Sequence, residues 1–496
     1  MGLLTGSGLL ASHLRAAASR TSGPPSFVFA HENVLGTSLQ LKFTAATPHA
    51  AEKAESAALD EIDRLNRILS RFDPASEFRH WLASSPHSSP KQISPDLFQV
   101  LALFDSWREA TTGALDPAAE AFTQLWRNAA SQQRTPAPHE LEAVLALVQS
   151  QHWSLDHKTG AAQRLSTAPL ALHSFAKSYI VERAAQAALR SGVHSAIVNI
   201  GGDLVVRGNT TEPVAIADPR SDEENGPRLA LLNIADRAVA TSGNYRRGVE
   251  IASLHYSHIF DPRTGQPVDH VLSSTVVAPN AVDAGALATA FSVLPIEESQ
   301  RLAQSRQNVD YLLIAKNGSR ITSPGWSRLA LAPAAAQSGA ATWDGSMELI
   351  VQFELARIDA QRYRRPFLAI WIEDKDRFPV RTIALWFDKP RWLPDLKAWS
   401  RADRMRSMAE GTDLTASVSS ATRPPGKYSV KWDGKDHQGK FVRPGLYTVF
   451  IEAAREHGTY QLLRQELEFT GKPRQVQLTA NAEIAAATLD YRKAAR

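Results

Sequence analysis

The spacing of apolar and polar positions along this chain changes period several times, and each change marks an element. From about Phe27 to Phe43 the two kinds of residue alternate around Leu35-Gly36-Thr37, which predicts strands joined by a turn. Ala51 to Leu69 then sets Ala58, Leu59, Ile62, Leu65, Ile68 and Leu69 at helical spacing, so an amphipathic helix follows. Leu97 to Thr111 predicts a second helix, broken at Thr112-Gly113. Asp116 before Pro117 is a natural N-cap and restarts a helix running to Trp126. Ser131 to Ser150 predicts a proline-initiated helix, and Trp153 to Leu172 two strands around Lys158-Thr159-Gly160. A strand turning into a helix begins at Leu170 and ends at Gly192. Ser195 to Ile200 is a compact apolar strand, with Gly201-Gly202-Asp203 as a tight turn into the next one. Val214 to Asp218 and Leu229 to Ile234 are strands separated by a polar loop. Ala238 to Thr241 leads to a turn at Ser242-Gly243, and His258 to Phe260 is a short strand entering a second turn. Ser273 to Ala278 is a strand, Ala284 to Leu294 a helix with one apolar face, and Val309 to Ala315 another strand.

Strands and helices are mixed without strict alternation, which predicts an α+β core rather than a doubly wound sheet. No G-x-G-x-x-G or P-loop spacing supports an ordinary nucleotide fold. Ala330 to Ala341 is rich in Ala, Pro, Ser and Gly and predicts a linker. Beyond it the pattern is mainly strand: Met347 to Leu355, Pro366 to Glu373, Thr382 to Phe387, Tyr428 to Trp432 and Leu446 to Ala453. Hairpin signals lie at Trp432-Asp433-Gly434 and Pro444-Gly445, so an all-β immunoglobulin-like sandwich is expected. The expected division is an unstructured tail over 1–26, an α+β domain over 27–329, a linker over 330–341, the sandwich over 342–480 and a tail over 481–496.

With 496 residues the chain is long enough for two or three cores. A net charge of +4 without any Lys/Arg block gives no support for a nucleic-acid partner. There is no cysteine, so disulfides and thiolate metal sites are excluded. No apolar run approaches the roughly 20 residues that span a bilayer. Met1 to Ser19 carries no basic n-region, so the expectation is either a cytoplasmic chain as written or an export signal that has been lost or mis-started.

The chemistry-bearing residues gather in a few short motifs. In His258-Ile-Phe-Asp-Pro-Arg-Thr-Gly265, Pro262 and Gly265 shape a turn that holds Asp261 and Thr264 at a strand end. Asp261 is the best carboxylate there for general-base or metal work, while a capping Asp in a hairpin turn is the plainer reading. Upstream stand Thr241-Ser242-Gly243-Asn244-Tyr245 and Gly201-Gly202-Asp203, and downstream Asp283-Ala-Gly-Ala-Leu-Ala-Thr289. Each alone is an ordinary turn or helix start.

Together, in this order, these motifs resemble the ApbE family, the FAD:protein FMN transferases. The resemblance implies a mixed-sheet, T-fold-like domain, here with a C-terminal β-rich domain of the kind often fused to it. It implies covalent transfer of FMN from FAD to a Thr or Ser of a target flavoprotein, with release of AMP and with Mg²⁺. It further implies contacts to FAD from Lys177, Gly201, Gly202, Asp203, Thr241, Ser242, Gly243, Tyr245, His258 and Thr264. His258 and Asp261 are the catalytic candidates, and Thr289 with Asp283 the metal candidates. A periplasmic location is also implied. In the family an Asp stands four residues before the metal Thr, one helical turn away. Here that position is Gly285, and Asp283 lies six residues before Thr289. His173, Ser174 and Ser178 replace glycines that admit a dinucleotide, and Glu182 replaces an Asp and reads as a surface helix residue. The alternative expectation is therefore a catalytically degenerate flavin-binding or scaffold protein.

Overall fold

The computed structural model describes residues 24–220, 228–243, 248–252, 254–331, 343–358, 364–388, 390–410, 419–456 and 458–494. Tyr245, nearly all of the expected linker and most of the expected N-terminal tail lie outside them.

The N-terminal domain is organised by an eight-stranded, wholly antiparallel sheet. Its order is Ser26–Val34, Thr37–Thr44, Ser195–Ile200, Asp203–Gly208, Ala238–Gly243, Val271–Ala278, Asp310–Ala315 and Arg320–Thr322. Helices Pro48–Leu69, Ala176–Arg190 and Ala281–Val293 pack on one face of it. The first is amphipathic as its spacing requires, burying Ala58, Ile62 and Leu65. The last is buried nearly all round, because its many alanines and one glycine let neighbouring backbone come close. The opposite face is covered by the small hairpin Thr211–Ala217 and Arg228–Ala235, through Ile216, Leu232 and Ile234.

Among the expectations that change within this domain, three bear on the site, and the strand expected from Leu170 is irregular chain leading into the helix Ala176–Arg190. Thr241, Ser242 and Gly243 belong to the strand Ala238–Gly243 and pair with Thr275, Ser274 and Ser273, so they form no turn. Strand pairing holds them because Thr241 Oγ1 lies 3.0 Å from Thr275 Oγ1 across the ladder. Conversely, His258 to Phe260 is not a strand. The strand Leu254–Ser257 stops because the Ser257 hydroxyl accepts the Ile259 N–H at 3.0 Å, which takes the chain out of the ladder. Glu182 is no surface residue either: its carboxylate accepts from Arg207 at 2.7–2.8 Å and from the Ala281 N–H at 3.0 Å, tying two helices to a strand.

The C-terminal domain is a two-sheet sandwich. One sheet runs Gly426–Trp432, Met347–Leu355, Ile484–Lys493, Arg474–Leu478, and the other Ser419–Ser420, Pro379–Trp386, Phe367–Asp374, Gly445–Ala454, Tyr460–Phe469. The residues from 481, expected as a tail, instead supply Ile484–Lys493, an inner strand paired on both sides. Its alternation is weakened by Ala485, Ala486 and Ala487, which hides a strand whose Leu489 and Tyr491 are core residues. Helix Lys397–Glu410, also not foreseen, lies on the outer face of the second sheet with Trp399 and Ala402 against Trp371 and Phe367. Buried Glu452 holds its start by accepting the Ala398 and Trp399 N–H groups, each at 2.8 Å. Val28 of the first strand joins the same apolar cluster, and the Ala30 N–H donates to the Asp388 carbonyl at 2.7 Å.

Leu489 is fully buried in the sandwich core. Leu489→Ala is expected to cost about 2–5 kcal/mol in urea unfolding followed by tryptophan fluorescence, whereas a residue in a loose tail would cost about nothing.

Candidate functional site

A cavity of about 1090 Å³ opens where the ends of the sheet strands meet the helical layer. Lys177, Gly201, Asp203, Thr241, Ser242, Gly243, His258 and Thr289 all line it. The Gly201-Gly202 turn is possible because both residues have positive φ, +60° and +100°, and a Cβ on Gly201 would stand 2.7 Å from the Thr37 side chain. Gly202 itself is exposed and serves the turn, its N–H donating to Asn199 Oδ1 at 3.1 Å. Thr264 is likewise a turn residue, its hydroxyl accepting the Gln266 N–H at 3.3 Å. Neither Gly202 nor Thr264 faces the cavity.

Asp261 does not line the cavity either. Its carboxylate is held by the Arg263 side chain at 2.8 and 2.9 Å and by the Arg263 N–H at 2.9 Å. The proline turn makes this clamp, since it returns the guanidinium onto the residue that opens the turn. Asp283 is occupied too. Helix Ala281–Val293 begins before it, Asn280 Oδ1 accepts its N–H at 2.8 Å, and its carboxylate accepts from Asn280 Nδ2 at 2.9 Å. It is an acid in the helix's first turn, a placement worth about 0.3–1 kcal/mol to the helix, while Asn280 is the N-cap.

At the position one turn before Thr289, Gly285 faces Ser178 of the neighbouring helix. A Cβ on Gly285 would lie 2.1 Å from Ser178 Oγ and 3.0 Å from Ser178 Cβ. Ser178 is fully buried and its hydroxyl donates to Asp203 Oδ2 at 2.9 Å. Thr289 Oγ1 donates to the Ser174 carbonyl at 3.2 Å. Among the described residues no three His, Asp or Glu side chains are grouped to hold a metal.

The far wall was not legible beforehand. Arg71 and Glu120 line it as an ion pair of 2.6 Å, and Asp116 is clamped by Arg108 at 2.7 Å. The partners are 49 residues apart in the first pair, so no local pattern joins them. Burial tends to raise the Glu120 carboxyl, but the Arg71 guanidinium outweighs it and holds the group below the usual carboxylate range. Burial raises Asp203, against the pull of nearby Lys177 and the Ser178 hydroxyl. Lys177 forms no hydrogen bond or ion pair with another described residue, so its ammonium is available to the cavity. His173 is exposed to the cavity, and desolvation by the surrounding protein lowers its pKa to about 4 against the attraction of Glu120.

Two outcomes follow. Gly285→Ala should destabilise the chain by about 1–3 kcal/mol, and a urea-denaturation cycle with Ser178→Gly should return most of that as a coupling between the two sites. For His173, the folded pKa lies below the unfolded one, so the unfolded chain binds the extra proton between them. Its contribution is complete above about pH 6.5 and is lost as pH falls toward 4. The acid decline of the melting temperature in that window should be shallower in His173→Ala.

The family model "ApbE family" matches residues 35–313, and "Predicted periplasmic protein (DUF2271)" matches residues 348–486. A FAD:protein FMN transferase of Haemophilus influenzae is 27% identical over 304 residues, covering 58% of this chain and 86% of that protein. One from Treponema pallidum is 30% identical over 303 residues, covering 57% and 83%. Among solved structures, the ApbE protein of Thermotoga maritima has a TM-score of 0.55 at 24% identity, over 62% of this chain and 99% of its own. The Pseudomonas stutzeri flavinyl transferase ApbE, in its apo form, has a TM-score of 0.54 at 23% identity, over 62% and 98%. Their fold is the one described above, and with the family model spanning more than half of its length this chain belongs to the ApbE family.

Proposed function

We propose that this chain is a FAD:protein FMN transferase. The observation that carries the reading is the convergence of Lys177, Gly201, Asp203, Thr241, Ser242, Gly243 and His258 on one cavity, from four separate segments of chain. At about 1090 Å³ the cavity is at the upper end for small-molecule sites, which suits a dinucleotide. Thr241 and Ser242 offer hydroxyls to the flavin or a phosphate, and Lys177 a cation to the pyrophosphate. In the reaction a Ser or Thr hydroxyl of the target flavoprotein attacks the FMN phosphorus. A P–O bond forms to the acceptor, the pyrophosphate P–O bond breaks, AMP leaves, and the acceptor proton passes to a base. His258 is the candidate for that base, because it lines the cavity and Asp261 does not. The second family model's description supports a periplasmic location, and no helix among the described residues is long and apolar enough to cross a membrane.

Magnesium calls for oxygen ligands with one or two carboxylates among them. The donors present do not fit a dedicated site: Asp283 is bonded to Asn280, Asp261 is bound to Arg263, and Gly285 offers nothing. No step is assigned to the ion. The same packing favours a second reading, a flavin-holding protein that does not turn over. Incubating the protein with FAD and a Ser/Thr-bearing flavoprotein target separates the two. A transferase releases AMP and adds the mass of FMN to the target, while the holding protein binds FAD and does neither. In either case Lys177→Met should weaken FAD binding about 10- to 100-fold, as expected for loss of a charged hydrogen bond, read by quenching of flavin fluorescence.

A further inference from the structure

We infer that this site binds its dinucleotide without a divalent cation, the phosphate charge being met by Lys177, and that the Ser178–Gly285 contact is what displaces the ion. The inference rests on the flavin reading above. The space one helical turn before Thr289, where a carboxylate would have to project to share a cation with that hydroxyl, is filled from the opposite side. Ser178 Oγ stands 2.1 Å from the place where a residue-285 Cβ would begin, so a side chain could leave Gly285 in that direction only by displacing Ser178.

The remaining donors are each engaged. Ser178 is fixed by its bond to Asp203, and Thr289 by its bond to the Ser174 carbonyl. Asp203, which lines the cavity, accepts the Ser178 hydroxyl at 2.9 Å. With Asp203 bonded to Ser178 and Gly285 bare, no carboxylate stands one helical turn before Thr289 to share an ion with its hydroxyl. The positive charge present at the same end is organic. Lys177 is one residue before Ser178 on the helix Ala176–Arg190, it lines the cavity, and it has no ion-pair partner among the described residues. An ammonium neutralises phosphate oxygens as a point charge without needing a ligand cage. Lys177 acts on the bound phosphates, and Ser178 acts as a positioning residue through Asp203.

The test has two independent readouts. In the first, Mn²⁺ is titrated calorimetrically into the full chain, which is expected to show no site at millimolar metal. In the second, FAD affinity is measured with Mg²⁺ and with EDTA and is expected to agree within about twofold, while Lys177→Met lowers it about tenfold in both. The double variant Ser178→Gly/Gly285→Asp is expected to gain both Mn²⁺ binding and a Mg²⁺-dependent FAD affinity. A Mn²⁺ site in the unmodified chain that is lost in Thr289→Ala, or FAD binding strengthened tenfold or more by Mg²⁺, overturns the inference. If FAD binds under neither condition, the flavin reading falls, and the Mn²⁺ titration of the unmodified chain alone decides this one.

Discussion

Two helices meet at Ser178 and Gly285 with no room for another atom, and the floor of the cavity depends on that approach. Packed interiors do not absorb such a contact by small displacements of many atoms, so the identity of one residue restricts the other. Glycine inside a helix costs roughly 0.5–1 kcal/mol relative to alanine. Here the contact offsets it, because the neighbouring hydroxyl is then free to reach Asp203 and fix the start of the strand Asp203–Gly208. Lys177, Ser178, Asp203 and Thr289 therefore form one mechanical unit in which chemistry and packing are not separable.

The rest of the cavity is prepared in a similar way. Arg71 with Glu120 and Arg108 with Asp116 satisfy each other before any ligand arrives. Such walls hold shape and contribute little net charge, since attraction within the pair is largely consumed by taking both groups out of water. Lys177 is different in having no ion-pair partner at salt-bridge distance among the described residues, with the Asp203 carboxylate only attracting it from nearby. An anionic ligand entering the cavity thus meets an unclamped ammonium at this end, which suits a molecule whose charge is concentrated in a pyrophosphate.

Much of this was legible from residues, and the failures have physical causes. Elements with a clear period, such as Pro48–Leu69 and Met347–Leu355, stand where the spacing put them. Elements whose apolar positions are few were missed: Lys397–Glu410 buries Trp399 and Ala402 among many charges, and Ile484–Lys493 is diluted by alanines. At the site, order along the chain was enough to gather the cavity residues from distant segments. It was not enough to orient carboxylates. Asp261 and Asp283 are both acids in motifs that resemble reactive ones, and both are spent on neighbours two or three residues away, Arg263 and Asn280. Short-range hydrogen bonds of that kind need only a local turn, whereas aiming a carboxylate across a cavity needs the tertiary structure to forbid the local alternative. The Arg71–Glu120 pair on the far wall, its partners 49 residues apart, had no short-range signal at all.

The contact between Ala30 and Asp388 has a consequence beyond holding two domains together. A long antiparallel sheet ends in two rows of unpaired backbone groups, and each row can recruit a strand from another molecule. At one end of this sheet the last strand, Arg320–Thr322, is only three residues long and offers little to recruit. At the other end Ser26–Val34 has nine residues, and the sandwich lies over part of it through Val28 and Ala30. In a crowded compartment the second domain thus acts as a guard against self-association. A flavin domain freed from its partner by proteolysis would carry a sticky border that the intact chain keeps covered.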